Sequence, residues 1–434
     1  SYIMDIMNRD QERLTPTFIL FLFYVVVWWL QLGERLGDRF GTDIRLEAVI
    51  ALFLLVIIFF DSFRKNPEEK TGLAPFVMAL FAVMLLKVVF AWNVDRAWYV
   101  FTERVLKYAA FGFFASHFVR TPKQLRWFIF IWLLVCWKGT LEGVIGGITG
   151  SLVWENQGIP RLHGNGLWSH PNSFSQFAIG VIPFCFYLFP VVKRKWLKLG
   201  ILTLFCFATY VVIFTGSRTG YLGYLIMIVL FFFQSSKQVR TVIVIMSLLM
   251  IPIFFTFMPQ NYQERFMSSF TGQEKEGGSK QARLTLYKEG WFVFTHHPFG
   301  VGLGNYPEAG MKYFKYKQEQ HCLYTEVLTE IGLQGFAVFM VFLWKIYSIL
   351  QALKIKIISL LTIAETRDNF NLFLRNDIEF MYAVIRSTLV YFLLRLFLDI
   401  FGMDLYSITW WFVIGIISSI YFIIVNVHIA IVKD

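Results

Sequence analysis

The chain has 434 residues, of which 57% are hydrophobic, 19% aromatic and 16% charged. That balance excludes a soluble globular enzyme, and the long apolar runs exclude a transmembrane β-barrel, which would need short alternating segments. A net charge of +11 reflects topology and contact with anionic lipid, not nucleic-acid binding.

The polar stretch "NRDQER" at 8–13 precedes a first apolar run without a small-residue cleavage site, so no cleavable signal peptide is expected. Runs long enough to cross a bilayer as helices, roughly 18 residues, recur along the chain. They lie near 17–32, 46–60, 73–91, 98–119, 127–149 and 173–192. Six more, near 199–215, 221–233, 241–258, 322–343, 381–401 and 408–428, make about twelve expected spans. The fold class is all-α, a polytopic membrane protein. Lys and Arg concentrate in "RKNPEEK" (64–70), "RTPKQLR" (120–126) and "KRKWLK" (193–198), which the positive-inside rule places in the cytoplasm together with both termini. Membrane lipids are therefore partners.

On this topology the outer face receives the segments 151–172 and 259–320 and the tight turn at 216–220. The chain divides into N-terminal helices over 1–150, a core with the outer loops over 151–343, and a C-terminal part over 344–434. Within the last, 344–380 mixes apolar and charged residues, as an amphipathic segment on the inner membrane surface would. Four cysteines show no paired spacing, and Cys136, Cys185 and Cys206 fall in apolar spans as buried thiols.

The outer segments carry the chemistry. "SLVWENQGIPRLHGNGLWSHPN" is loop sequence holding Arg161, His163 and His170, and "SHPN" reads as a helix-opening turn capped by Asn172 or Ser173. "GSRTG" at 216–220 sets Arg218 between glycines where one apolar helix turns into the next. The long outer loop starts with the polar stretch "TGQEKEGGSK" (271–280), and then Leu284, Tyr287, Trp291 and Phe294 recur at helical spacing, a stripe suited to an interfacial helix. Arg283 lies four residues before Tyr287 and shares its face. His296 and His297 shape the following turn, and His321 stands at the threshold of the tenth span. Three permanently charged guanidiniums suit bidentate contact with a pyrophosphate. A histidine near a helix N-terminus and arginines stays neutral and serves as a base. Glu330, nine residues beyond His321, lies on the opposite azimuth of a straight helix and is expected to bond between helices instead. Lys138 and Glu142 are spaced for an i,i+4 pair.

The order "RLHG" (161–164) with "HPN", "GSRTG", Arg283 with "HPFGVGLGN", then His321, "EIG" (330–332) and Gly335 resembles the O-antigen ligase and polymerase superfamily, most of all bacterial O-antigen ligases, over about 160–336. The resemblance implies glycan transfer from an undecaprenyl-pyrophosphate-linked donor at the periplasmic face of the bacterial inner membrane. For a ligase the acceptor is a hydroxyl of the lipid A–core oligosaccharide. It further implies an inverting reaction with no cofactor, metal or nucleotide. By this analogy Arg218 and Arg283 grip the pyrophosphate, Arg161 assists or positions donor sugar, and His321 deprotonates the attacking hydroxyl. Gly216 and Gly220 would let the backbone turn near the phosphates. Many members read His-Asn where this chain has His321-Cys322. A polymerase differs only in its acceptor, and a transporter for the same lipid would need polar residues through mid-bundle and internal repeats.

Overall fold

The computed structural model describes residues 14–42, 44–62, 71–156, 158–271, 279–366, 372–402 and 405–433. The polar stretches at 8–13, 64–70 and 272–278 lie outside them. Almost every described segment is helical: α1 (Pro16–Leu30), α2 (Leu32–Phe40), α3 (Leu46–Ser62), α4 (Ala74–Val89), α5 (Val94–Val100), α6 (Lys107–Phe118), α7 (Pro122–Thr149), α8 (Pro171–Val191), α9 (Lys195–Phe214) and α10 (Arg218–Phe233). There follow α11 (Lys237–Phe257), α12 (Gln260–Thr271), α13 (Ser279–His296), α14 (Tyr306–Phe314), α15 (Leu323–Glu330), α16 (Gly332–Thr366), α17 (Leu372–Leu398) and α18 (Ile408–Lys433). One hairpin, β1 (Val153–Asn156) with β2 (Ile159–Leu162), interrupts them.

Each of the twelve apolar runs is helical, but the expected span count is not met. Among the described residues six helices are long and apolar enough to cross a membrane, or seven if α1 and α2, bent by 62°, count as one. The bend is at Gln31, which takes left-handed φ of 51°. Helices α4 and α10, 16 residues each, reach only about 24 Å at 1.5 Å per residue, short of the roughly 30 Å hydrocarbon layer. The run at 98–119 is helical throughout but passes through a π-helical turn, Phe101–Leu106.

One further expectation is corrected. The run 322–343 is not one span: α15 stops at Glu330, and α16 starts at Gly332, whose φ is +75°. A Cβ on Gly332 would lie 2.3 Å from the Phe299 carbonyl carbon, so only glycine fits the break. The segment 344–380, expected to lie along the inner membrane surface, is not a helix of its own. It is taken up by α16, 35 residues long, and the start of α17. Ile346, Ile349, Leu350, Leu353, Ile357 and Leu360 form a stripe that α16 buries in protein.

The chain separates into two compact units. The first comprises residues 1–132, 283–385 and 399–434. Its helix pair α6 and α18 meets backbone to backbone: a Cβ on Gly112 would lie 2.5 Å from the Trp411 carbonyl oxygen, and one on Gly415 would lie 2.7 Å from the Ala115 Cβ. Small residues at the crossing make that approach possible. Trp132 and Phe412 pack against each other with tilted rings, centroids 4.5 Å apart. The second unit comprises 133–282 and 386–398, with α8 packed on α9 and α10. Lys138 and Glu142 pair along α7 as their spacing predicts. All four cysteines are free; Cys136, Cys185 and Cys322 are buried, whereas Cys206, expected inside, is exposed on α9.

Candidate active site

In the second unit the site is built around the turn between α9 and α10. Gly216 has φ of +58°, a conformation that glycine adopts without strain. Ser217 then caps α10, its Oγ accepting from the Gly220 amide at 3.2 Å, and Arg218 is the first residue of the helix. Gly220 lies within α10, not in the turn. A Cβ there would be 1.9 Å from the Ser175 Oγ, so its smallness serves the packing of α10 on α8.

Arg161 approaches the same turn from the hairpin. It sits opposite Trp154 in the β1–β2 register and is only 2% exposed. A guanidinium that deep is tolerable only when its donors are satisfied. Its Nε donates to the Thr215 carbonyl at 2.7 Å, Nη1 to Asn156 Oδ1 at 3.2 Å and Nη2 to Asn172 Oδ1 at 2.8 Å. This use of Asn172 explains why it is not the cap of α8. Instead His170 caps, its Nδ1 accepting from the Asn172 amide at 3.2 Å, with Pro171 fixing the first helical position.

In the first unit Arg283 and His321 share a neighbourhood formed by residues 399–401. The Arg283 guanidinium lies over the Phe401 ring, 5.7 Å from its centroid, and one turn on the Tyr287 hydroxyl donates to the Ile400 carbonyl at 2.7 Å. The Leu323 amide, two residues past His321, donates to the Asp399 carbonyl at 2.8 Å. Gln320, 1% exposed, anchors the other side: its Nε2 fills the notch at Gly290 on α13 and donates to the Leu286 carbonyl at 3.4 Å. His321 is thus pinned before, against the helix that carries Arg283, and behind, against residue 399. Burial first, and the Arg283 charge second, hold its imidazole below the ordinary 6.5, so it is neutral at physiological pH. Cys322 occupies the N-cap position of α15 without a side-chain cap bond.

Helix α13 buries Leu286 and Val293 against Val301, Tyr306 and Ala309. Of the expected stripe, Tyr287 and Phe294 are half-buried, while Leu284 and Trp291 remain exposed. His297 shapes its turn as expected, its Nε2 paired with the Tyr313 hydroxyl at 2.7 Å. Glu330 is 1% exposed and does not face His321 along a common helix. It accepts from the Gly304 amide at 2.7 Å and from the Tyr406 hydroxyl, fixing the "GVGLGN" loop.

Residues 202–340 match a family model described as O-antigen ligase. That matched domain, less than half of the chain, is similar to the O-antigen ligase family. Members of the O-antigen ligase family are membrane glycosyltransferase-like ligases and polymerases. The domain includes Arg218, Arg283 and His321 in the order in which they were singled out, whereas Arg161 precedes it. Comparison with curated proteins returns no match. Two residues of the candidate site escaped the sequence reading. Gln320 is neutral and gives no charge signal, and Arg265, buried at 9% exposure on α12, looks in sequence like any arginine of an amphipathic segment.

Proposed function

We propose that the protein is an inverting, metal-independent glycosyltransferase. In this reading it moves a glycan from undecaprenyl pyrophosphate to a hydroxyl of lipid A–core oligosaccharide at the periplasmic face of the bacterial inner membrane, with both termini cytoplasmic. The observation that carries the reading is that Arg283 and a half-buried His321, both packed near residues 399–401, lie inside the stretch that matches O-antigen ligase, with burial and the Arg283 charge holding the imidazole below 6.5. Arg218 and Arg283 bind the diphosphate with forked contacts. His321 takes the proton of the acceptor hydroxyl as that oxygen attacks the anomeric carbon from the face opposite the diphosphate. The bond from the anomeric carbon to the diphosphate oxygen breaks, and undecaprenyl pyrophosphate leaves with its charge compensated by the guanidiniums. Arg161 gives its donors to Thr215, Asn156 and Asn172, so its part is to shape the turn that carries Arg218. A polymerase would run the same chemistry with a second carrier-linked glycan as acceptor, and the family match supports that class equally.

Full-length protein reconstituted in vesicles with carrier-linked glycan and each acceptor tests the proposal. Product on lipid A–core alone is expected; lengthened carrier-linked chains alone overturn ligation in favour of polymerisation. His321→Ala is expected to abolish transfer while donor binding persists. Loss of donor binding, with residual turnover tracking occupancy, would make His321 a binding residue instead.

A further inference from the structure

Helix α12 carries a second buried guanidinium onto the turn. Arg265 donates Nε to the Gly216 carbonyl at 3.2 Å, next in sequence to the Thr215 carbonyl that Arg161 holds. One turn earlier on α12, the Tyr262 hydroxyl donates to the Pro160 carbonyl at 2.7 Å, so the same helix touches β2 immediately before Arg161. The Tyr221 hydroxyl takes the Ile213 carbonyl at 2.8 Å. Three carbonyls at the C-terminal end of α9 are therefore held by side chains from three elements, two of them cationic where the helix dipole is negative. The left-handed Gly216 lies between these anchors, and Arg218 follows two residues later.

We propose that Arg265 is a positioning residue: with Arg161 it braces the turn at 215–217 so that Arg218 presents its guanidinium in one fixed place to a lipid-linked diphosphate. The inference rests on the diphosphate role given to Arg218 above. Arg265 acts through the backbone of the turn, by way of Gly216, and Tyr262 ties the same helix to the hairpin. A displacement of about 1 Å at a gripping group is enough to cost on the order of 100-fold in rate.

The experiment combines a double-mutant cycle with amide exchange, both on the full-length protein in vesicles. Arg265→Gln is expected to lower kcat/KM for the carrier-linked donor by about ten-fold or more. Added to Arg218→Gln, it is expected to cost less than about two-fold further, because residues that act as a unit are not additive. Multiplicative losses would mean that Arg265 works independently of Arg218 and would overturn the proposal. In parallel, amide exchange over 213–221 is expected to rise in Arg265→Gln, to be partly restored in Arg265→Lys, and to stay unchanged in α16. Unchanged exchange over the turn overturns the brace whatever the transfer rates. If Arg218→Gln itself transfers at the wild-type rate, the diphosphate role fails, and the link from brace to Arg218 chemistry falls with it; exchange then still decides whether the brace exists.

Discussion

Replacing Glu330 by alanine removes the acceptor shared by the Gly304 amide and the Tyr406 hydroxyl, the first at 2.7 Å. The Gly304 amide also reaches the Tyr406 hydroxyl at 3.2 Å, so the donors left unpaired are the Tyr406 hydroxyl and the buried Tyr306 amide, and at about 1–3 kcal/mol each the loss is roughly 2–6 kcal/mol. Glu330→Gln keeps a carbonyl oxygen for the Tyr406 hydroxyl and the Gly304 amide and should lose much less, although its amide then faces the Tyr306 N–H that approaches Oε1 at 3.4 Å. Tyr406→Phe deletes one donor but also the second acceptor of the Gly304 amide, so Glu330→Ala on that background should cost about as much as it does in the wild type. Because a protein of this kind unfolds irreversibly, the reading is the half-life of folded, monodisperse protein in detergent at a series of temperatures. Transfer measured well below the melting range should keep the wild-type acid limb of its pH profile, since Glu330 does not bond His321. A wild-type half-life for Glu330→Ala would refute the reasoning.

Arg218→Lys retains the charge but not the fork, and kcat/KM for donor should fall about 10- to 100-fold; wild-type turnover at ordinary donor concentration would count against the contact. For pH, the active form of His321 is neutral, so transfer declines as pH falls through a pKa held below 6.5 by burial and by Arg283. Arg283→Met removes the second of those causes, and the acid limb of the residual activity should move to higher pH. A limb that stays in place would dissociate it from His321.

Hydropathy located the long apolar helices because burial and lipid exposure demand the same apolar residues, but it passed over the short polar helices α2, α12 and α14. It failed where backbone conformation decides. Nothing apolar changes between Leu323 and Leu343, yet Gly332 in its left-handed conformation breaks the run. The buried stripe of α16 has the same period as a stripe laid on lipid, so composition alone could not tell the two apart. At the site, Arg218 was legible because a cation in a glycine turn is unusual. His321 and Arg283 needed the ordered motif, and Gln320 and Arg265 became visible only through the carbonyls they hold.

The crossing of residues 299–300 with 330–332 has a further consequence. A Cβ on Gly300 would fall 2.6 Å from the Glu330 carbonyl oxygen, and the Leu333 amide donates to the Pro298 carbonyl at 2.9 Å, so two stretches of main chain clasp each other. The excursion from 301 to 329, which carries His321, leaves and returns through one fastened neck. Spin labels at 299 and 333 should therefore report a constant separation while labels nearer the tip are free to vary, and residues added at the tip would lengthen the excursion without loosening its base.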